Sequence, residues 1–223
     1  MGKGFFVTGT DTGIGKTTVS CALLHAFAAQ GKKVVGMKPV AAGSENGQWP
    51  DVELLLAAGN VDVPRQKINP YAFDPPIAPH IAAQQVGMEI DFSVIHRAYQ
   101  ELSAAADIVI VEGVGGFLVP VNQNQTGADL AKSLNLPVIL VVGMRLGCLN
   151  HALLTAQAIK AVGLPLAGWV ANCIDPQMKV LAENIATLEQ RLDGPLLGVV
   201  PFDLEMHAQE SAKLLDVVTL GSY

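Results

Sequence analysis

Residues 8–18 read Thr-Gly-Thr-Asp-Thr-Gly-Ile-Gly-Lys-Thr-Thr and separate a strand-like apolar stretch from one of helical period. A strand, a glycine-rich turn and a helix that opens on Gly-Lys-Thr form the context of a phosphate-binding loop. Gly13 and Gly15 let the backbone curl so that successive N–H groups point inward. The helix N-terminus adds positive potential where β- and γ-phosphates would sit. Lys16 would bridge those phosphates as a point charge, and the Thr17 hydroxyl would ligate Mg2+. The usual first glycine of such a loop would stand at position 10, where this chain has Thr10, with Gly9 one place earlier. A tight turn carrying a surface lysine is the bland alternative, and Gly-Lys-Thr after a strand outweighs it.

The same alternation continues along the chain. Short β-branched runs occur at 4–8, 34–38, 108–112, 138–142, 166–172 and 197–200, and helical periods at 16–30, 52–58, 92–105, 128–134, 148–162 and 177–191. Runs that are apolar on both faces need helices above and below them, which means a mostly parallel sheet. No repeat or flexible linker divides the sequence. The expected architecture is one α/β domain of the phosphate-loop NTPase type over residues 1–223.

Composition narrows the partners. A formal charge of −6 argues against wrapping a nucleic acid, since that requires clustered Lys and Arg. Half of the residues are hydrophobic and 15% are charged, which leaves apolar surface for a second subunit to cover. Cys21, Cys148 and Cys173 are scattered, without metal-ligand spacing, and read as reduced core thiols. No apolar run is long enough to span a bilayer and the N-terminus shows no signal peptide, so the expected compartment is the cytoplasm, without membrane attachment.

Magnesium needs further oxygen ligands. Glu112 ends the run Asp-Ile-Val-Ile-Val-Glu before Gly-Val-Gly-Gly, so its carboxylate faces the crevice at a strand end. Asp51, in Gln-Trp-Pro-Asp, is either a second ligand or an ordinary helix N-cap. Lys38 closes the second strand just before Pro39, where it would act as an electrostatic clamp on an anionic reactant. The stretches 39–50 and 69–79 are rich in Pro, Gly, Asn and Ser and are expected to build the site.

Taken together, Val-Thr-Gly-Thr-Asp-Thr with Gly-Lys-Thr, Lys-Pro-Val-Ala, Asn-Pro-Tyr, Pro-His-Ile, Val-Glu-Gly-Val-Gly-Gly, Leu-Gly-Cys-Leu-Asn-His and Gly-Trp-Val-Ala-Asn follow one another from Val7 to Asn172. This ordered set resembles the dethiobiotin synthetase family. The resemblance implies a homodimeric, ATP- and Mg2+-dependent cyclo-ligase of biotin biosynthesis. Its substrates are 7,8-diaminononanoate, CO2 and ATP.

The resemblance also implies roles. Lys16 holds the transferring phosphate, Lys38 steadies the carbamate, and Thr12 lines the reactants. Gly13, Ile14, Gly15, Thr17 and Thr18 surround the nucleotide phosphates, and Thr17, Asp51 and Glu112 hold Mg2+. Gly113, Val114, Gly115 and Gly116 form a backbone wall beside carbamate and phosphate. Asn172, Cys173, Pro201, Phe202 and Asp203 lie at the adenine. Ala42 borders the substrate, and Leu146, Gly147, Cys148 and Asn150 receive its carboxylate at a helix N-terminus, where free N–H groups attract anions. Asn150 as a simple helix cap is the alternative. Two positions depart from the family pattern: Gly13 replaces a frequent acidic residue and Ala42 a frequent serine.

Switch-type ATPases share the loop but carry a signature lysine where this chain has Asp11. A guanine-reading pattern is hinted at by Asn172-Cys173-Ile174-Asp175, but its lysine is missing, which makes Asp175 a loop residue.

Overall fold

The computed structural model describes residues 2–203 and 207–223. Strand β1 (Lys3–Gly9) feeds helix α1 (Lys16–Ala29), which returns the chain to β2 (Val34–Met37). Next come β3 (Val40–Ala42), α2 (Pro50–Ala58), α3 (Arg65–Ile68), β4 (Tyr71–Phe73), α4 (Pro79–Gln85) and α5 (Phe92–Ala105). The remainder alternates through β5 (Ile108–Gly116), α6 (Gly127–Leu134), β6 (Val138–Met144), α7 (Cys148–Ala161), β7 (Leu166–Cys173), α8 (Leu181–Arg191) and β8 (Leu196–Val200). Helix α9 (Ala208–Ala212) and a short 3-10 turn, Thr219–Ser222, follow.

The main sheet runs β2-β5-β1-β6-β7-β8, and each neighbouring pair is parallel. All six expected strands are therefore in one sheet. The direction in which strands are added to the sheet reverses at β1, which has β5 on one side and β6 on the other. In an open parallel sheet that reversal opens a crevice beyond the strand C-termini, and the glycine-rich loop leaves β1 at that point.

Successive side chains of a strand point to opposite faces, and β1 shows it. Phe5 and Val7 pack with Val19, Leu23 and Phe27 of α1, whereas Phe6 packs with Ile95 of α5 and Leu130 of α6. Toward the far edge Trp169 is fully buried among Leu140, Val142 and Leu188, a core residue rather than a stacking platform. Burying such side chains contributes on the order of 2 kcal/mol each, which anchors the strand ends that carry the polar groups.

Three details differ from expectation for local reasons. Strand β5 continues through its glycines to Gly116 instead of stopping at Glu112, with a register shift opposite β1. Helix α8 starts at Leu181 rather than near 177, because the chain before it passes through a left-handed Val180 at φ 52°, which interrupts helical backbone. The irregular stretches 39–50 and 69–79 hold a small parallel pair, β3 with β4, fastened by Trp49 Nε1 donating to the Phe73 carbonyl at 2.9 Å. Among the described residues no helix is long and apolar enough to cross a membrane.

Candidate active site

The loop between β1 and α1 is braced by its neighbours. Gly13 and Gly15 adopt φ 72° and 84°, a region that L side chains rarely enter. At Gly15 there is also no room, because a Cβ would fall 2.2 Å from Asn172 Nδ2. That amide donates to the Ile14 carbonyl at 2.7 Å, so the end of β7 supports the loop directly. Thr10, in the place of the usual glycine, continues the sheet: its N–H donates to the Val141 carbonyl at 3.1 Å, and its Oγ1 accepts from Gly143 N–H at 3.4 Å.

Four polar side chains converge beside this loop. Lys38 Nζ donates to Glu112 Oε1 at 2.6 Å and Asp51 Oδ2 at 2.8 Å, and lies 3.4 Å from the Gly113 carbonyl. Thr17 Oγ1 lies 2.8 Å from Glu112 Oε1 and 2.9 Å from Asp51 Oδ1; its single proton serves one of them at a time. Lys38 and Glu112 are buried, at 3% and 1% exposure. The Lys38 main chain is held by Asn69, whose Nδ2 donates to the Lys38 carbonyl at 2.7 Å and to that of Tyr71 at 2.9 Å.

Two ammonium groups and two carboxylates set the electrostatics of the site. Lys16 is buried and donates to the Asp11 carbonyl at 2.7 Å. Its burial, then the nearby charge of Lys38, lower its pKa to about 8. Burial also works against the Lys38 ammonium, but Glu112 and Asp51 outweigh it and raise its pKa. Asp51 has the opposite balance: burial raises its pKa, and Lys38 with Thr17 brings it below the ordinary carboxylate value. The second Glu112 oxygen, Oε2, is buried without a hydrogen-bond partner. A buried carboxylate oxygen with no donor could face a cation, and two carboxylates with a hydroxyl are oxygen ligands of the kind a hard divalent cation takes.

Asp51 is not the helix cap. Trp49 occupies that position in α2 and Pro50 precedes Asp51 in the first turn, which aims its carboxylate at Thr17 and Lys38. Beside it lies a cavity of about 410 Å³ lined by Ala41, Ala42, Ser44, Trp49 and Asp51. A larger cavity of about 750 Å³ lies at the opposite end of the strands, around Gly2, Lys3 and Asp107, away from these groups.

The other expected residues lie around the same edge of the sheet. Gly113, Val114, Gly115 and Gly116 are half-buried at the end of β5, and a Cβ on Gly115 would fall 3.5 Å from Thr12 Oγ1. Gly13, Thr12 and Thr18 are exposed. Asn172 is in register with Val200, so Pro201, Phe202 and Asp203 emerge exposed beside the end of β7, while Cys173 is buried there. Gly147 caps α7, which removes Asn150 from the cap; Asn150 is exposed one turn in, Leu146 is 96% exposed and Cys148 is buried. His80 is partly buried and lines a separate 220 Å³ cavity with Gln84, Met88 and Asn122. Asp175 accepts from Gln177 N–H, as a loop residue would. The sequence placed Asn69 in a motif without giving it a role, and it assigned nothing to Arg145. Arg145 reaches the loop and pairs with Asp11, its Nη2 lying 2.5 Å from Oδ2.

A family model described as an AAA domain matches residues 3–210. The chain is 65% identical over 221 residues to the ATP-dependent dethiobiotin synthetase BioD of Nitrosospira multiformis, covering 99% of this chain and 98% of that one. It is 56% identical over 203 residues to the protein of the same name from Aromatoleum aromaticum, covering 89% and 90%. Among solved structures it is similar to a ParA family ATPase from Chlorobium tepidum, with TM-score 0.58, 15% identity and coverage of 100% and 94%. The septum site-determining protein MinD of Pyrococcus horikoshii, complexed with Mg-ADP, gives TM-score 0.57, 16% identity and coverage of 100% and 90%. At those identities the two structures share the fold alone.

Proposed function

The chain belongs to the dethiobiotin synthetase family, and from that premise we propose that it closes the ureido ring of dethiobiotin. The substrates are 7,8-diaminononanoate, CO2 and ATP; the products are dethiobiotin, ADP and phosphate, in the penultimate step of biotin biosynthesis. One amine captures CO2 as a carbamate and loses a proton. A carbamate oxygen attacks the γ-phosphorus and ADP leaves. The second amine then attacks the carbonyl carbon of the mixed anhydride, loses its proton, and phosphate departs with the electron pair of the broken C–O bond.

The observation that carries this reading is the pair of buried ammonium groups, Lys16 and Lys38, beside a glycine-rich loop. Carbamate and γ-phosphate are both anions, and bringing them together requires cations that are already oriented. Lys16 holds the phosphate that moves. Lys38 steadies the carbamate and the acyl phosphate. Thr17, Asp51 and Glu112 would hold magnesium, which when bound supplies further neutralisation of the phosphate oxygens.

The remaining roles are those that membership of the family implies. Gly13, Ile14, Gly15, Thr17 and Thr18 surround the phosphates with backbone and hydroxyl donors. Asn172 commits its Nδ2 to Ile14, which leaves its Oδ1 to accept from the exocyclic amine of adenine, with Cys173 and the 201–203 segment alongside. Thr12, Ala42 and Gly116 line the reactants. Leu146, Gly147, Cys148 and Asn150 receive the substrate carboxylate at the start of α7. The exposed side chains of Leu118, Leu146 and Leu154 support a homodimer with the substrate site at the interface. We place the enzyme in the cytoplasm, with residues 1–223 as one domain.

The test is phosphate release from Mg-ATP, with and without 7,8-diaminononanoate and bicarbonate, with the organic product identified by mass. Release that needs both compounds and yields dethiobiotin is expected. Release indifferent to them would overturn the assignment in favour of a switch ATPase.

A further inference from the structure

We propose that Asp11 and Arg145 form a positioning pair, which lets the phosphate loop carry a carboxylate without repelling the triphosphate. The proposal rests on the reading that this loop binds ATP.

Asp11 organises the residues around it. Its Oδ1 accepts the Thr12 N–H at 2.8 Å and its carbonyl accepts Lys16 Nζ at 2.7 Å. One residue thereby holds the Thr12 main chain and the Lys16 ammonium, both in the loop given to the reactants. The arrangement carries an electrostatic penalty, because a charged carboxylate on the loop faces a ligand of several negative charges.

Arg145 offsets that charge. It follows the last residue of β6 and precedes the Gly147 cap of α7 by two positions, and its guanidinium takes up Asp11 Oδ2. The Thr12 N–H, followed by Arg145 and His151, keeps the Asp11 carboxyl below its ordinary range against the opposing effect of partial burial, so it is charged at neutral pH. The bonds of Thr10 to Val141 and Gly143 tie the same stretch of loop to β6. Loop and β6–α7 turn are therefore joined by main chain and by an ion pair. Both side chains of the pair are more than two-fifths exposed, and a pair so exposed contributes little to stability. Its effect falls on the charge that an incoming anion meets.

Steady-state kinetics of R145Q, R145K, D11N and D11N/R145Q, with ATP and diamine varied separately, test the pair. R145Q is expected to raise KM for ATP roughly 3- to 10-fold with kcat within about 2-fold, a defect that shrinks as salt screens the bare carboxylate. R145K keeps the cation and stays close to wild type. D11N keeps an Oδ1 acceptor for Thr12 but no charge, so D11N/R145Q recovers most of the affinity and D11N alone shows no rise in KM for ATP. An unchanged KM in R145Q, a double variant no better than R145Q, or a raised KM in D11N each overturn the proposal. A purely structural role predicts a lower Tm for R145Q and no rescue by D11N. Failure of the underlying reading is a separate result, namely wild-type protein that releases no phosphate when given diamine and bicarbonate.

Discussion

Lys38 Nζ lies 2.6 Å from Glu112 Oε1, so a buried ammonium holds the carboxylate oxygen that also faces Thr17. A divalent cation held by Glu112 and Asp51, as proposed, would compete with that ammonium for the two carboxylates. Lys38→Met should bind Mn2+ roughly 10-fold tighter without nucleotide, by electron paramagnetic resonance, because a competing charge is gone. It also leaves buried carboxylate unpaired, so its Tm should fall and rise again when Mn2+ is added. Turnover should fall on the order of 100-fold or more, with nucleotide affinity changed less. Equal Mn2+ affinity in the two proteins would mean that the cations do not compete.

Glu112→Gln keeps the shape and removes the charge. The magnesium concentration for half-maximal turnover should rise by about 10-fold, since a second carboxylate and a hydroxyl remain. An unchanged magnesium titration would take Glu112 out of the metal site.

Lys16→Ala removes the cation proposed to hold the transferring phosphate. Loss of one preorganised charge of this kind costs about 3–4 kcal/mol of transition-state stabilisation, a fall in turnover of roughly 100- to 1000-fold. Single-turnover phosphate release measures it, and near-wild-type release would remove Lys16 from the chemistry.

Gly15→Ala meets two obstacles, the left-handed φ of 84° and Asn172 Nδ2 at 2.2 Å from the new Cβ. Strain of about 1–3 kcal/mol from the backbone alone should lower Tm, and the displaced loop should weaken nucleotide binding. Adding Asn172→Ala relieves the clash but not the dihedral angle, so it should restore Tm only in part. Calorimetry and nucleotide titration separate the two effects.

The Cys21 thiol is pushed up to about 12, by burial first and then by Glu112 and Asp51. At pH 8 its thiolate is about one part in ten thousand, so iodoacetamide should leave Cys21 unmodified in the native protein and label it after unfolding. The folded value lies above the unfolded one, so the neutral thiol's contribution to stability is present below pH 9.0 and lost as pH rises toward 12. Rapid native labelling at pH 8 would contradict the burial.

The sequence alone determined what depends on local chain geometry. The strand, the paired glycines and Gly-Lys-Thr specify a phosphate loop because each φ, N–H and side chain involved lies within eleven consecutive residues. The two-faced apolar runs determined a parallel sheet, because a strand covered on both sides needs apolar residues at every position. Glu112 was legible for the same reason, as a carboxylate where an apolar strand gives way to glycines. Asp51 was not, since a residue after Pro at a helix start serves equally as a cap or as a ligand. Only the placement of Trp49 at the cap and the approach of α2 to Thr17 excluded the cap. Asn69 under the Lys38 main chain and Arg145 on Asp11 were decided by tertiary structure as well; the second pair is separated by 134 residues. Asp11 and Arg145 meet because β1 lies beside β6, a neighbourhood of strands that side-chain burial and the crossover helices impose and that no local pattern encodes.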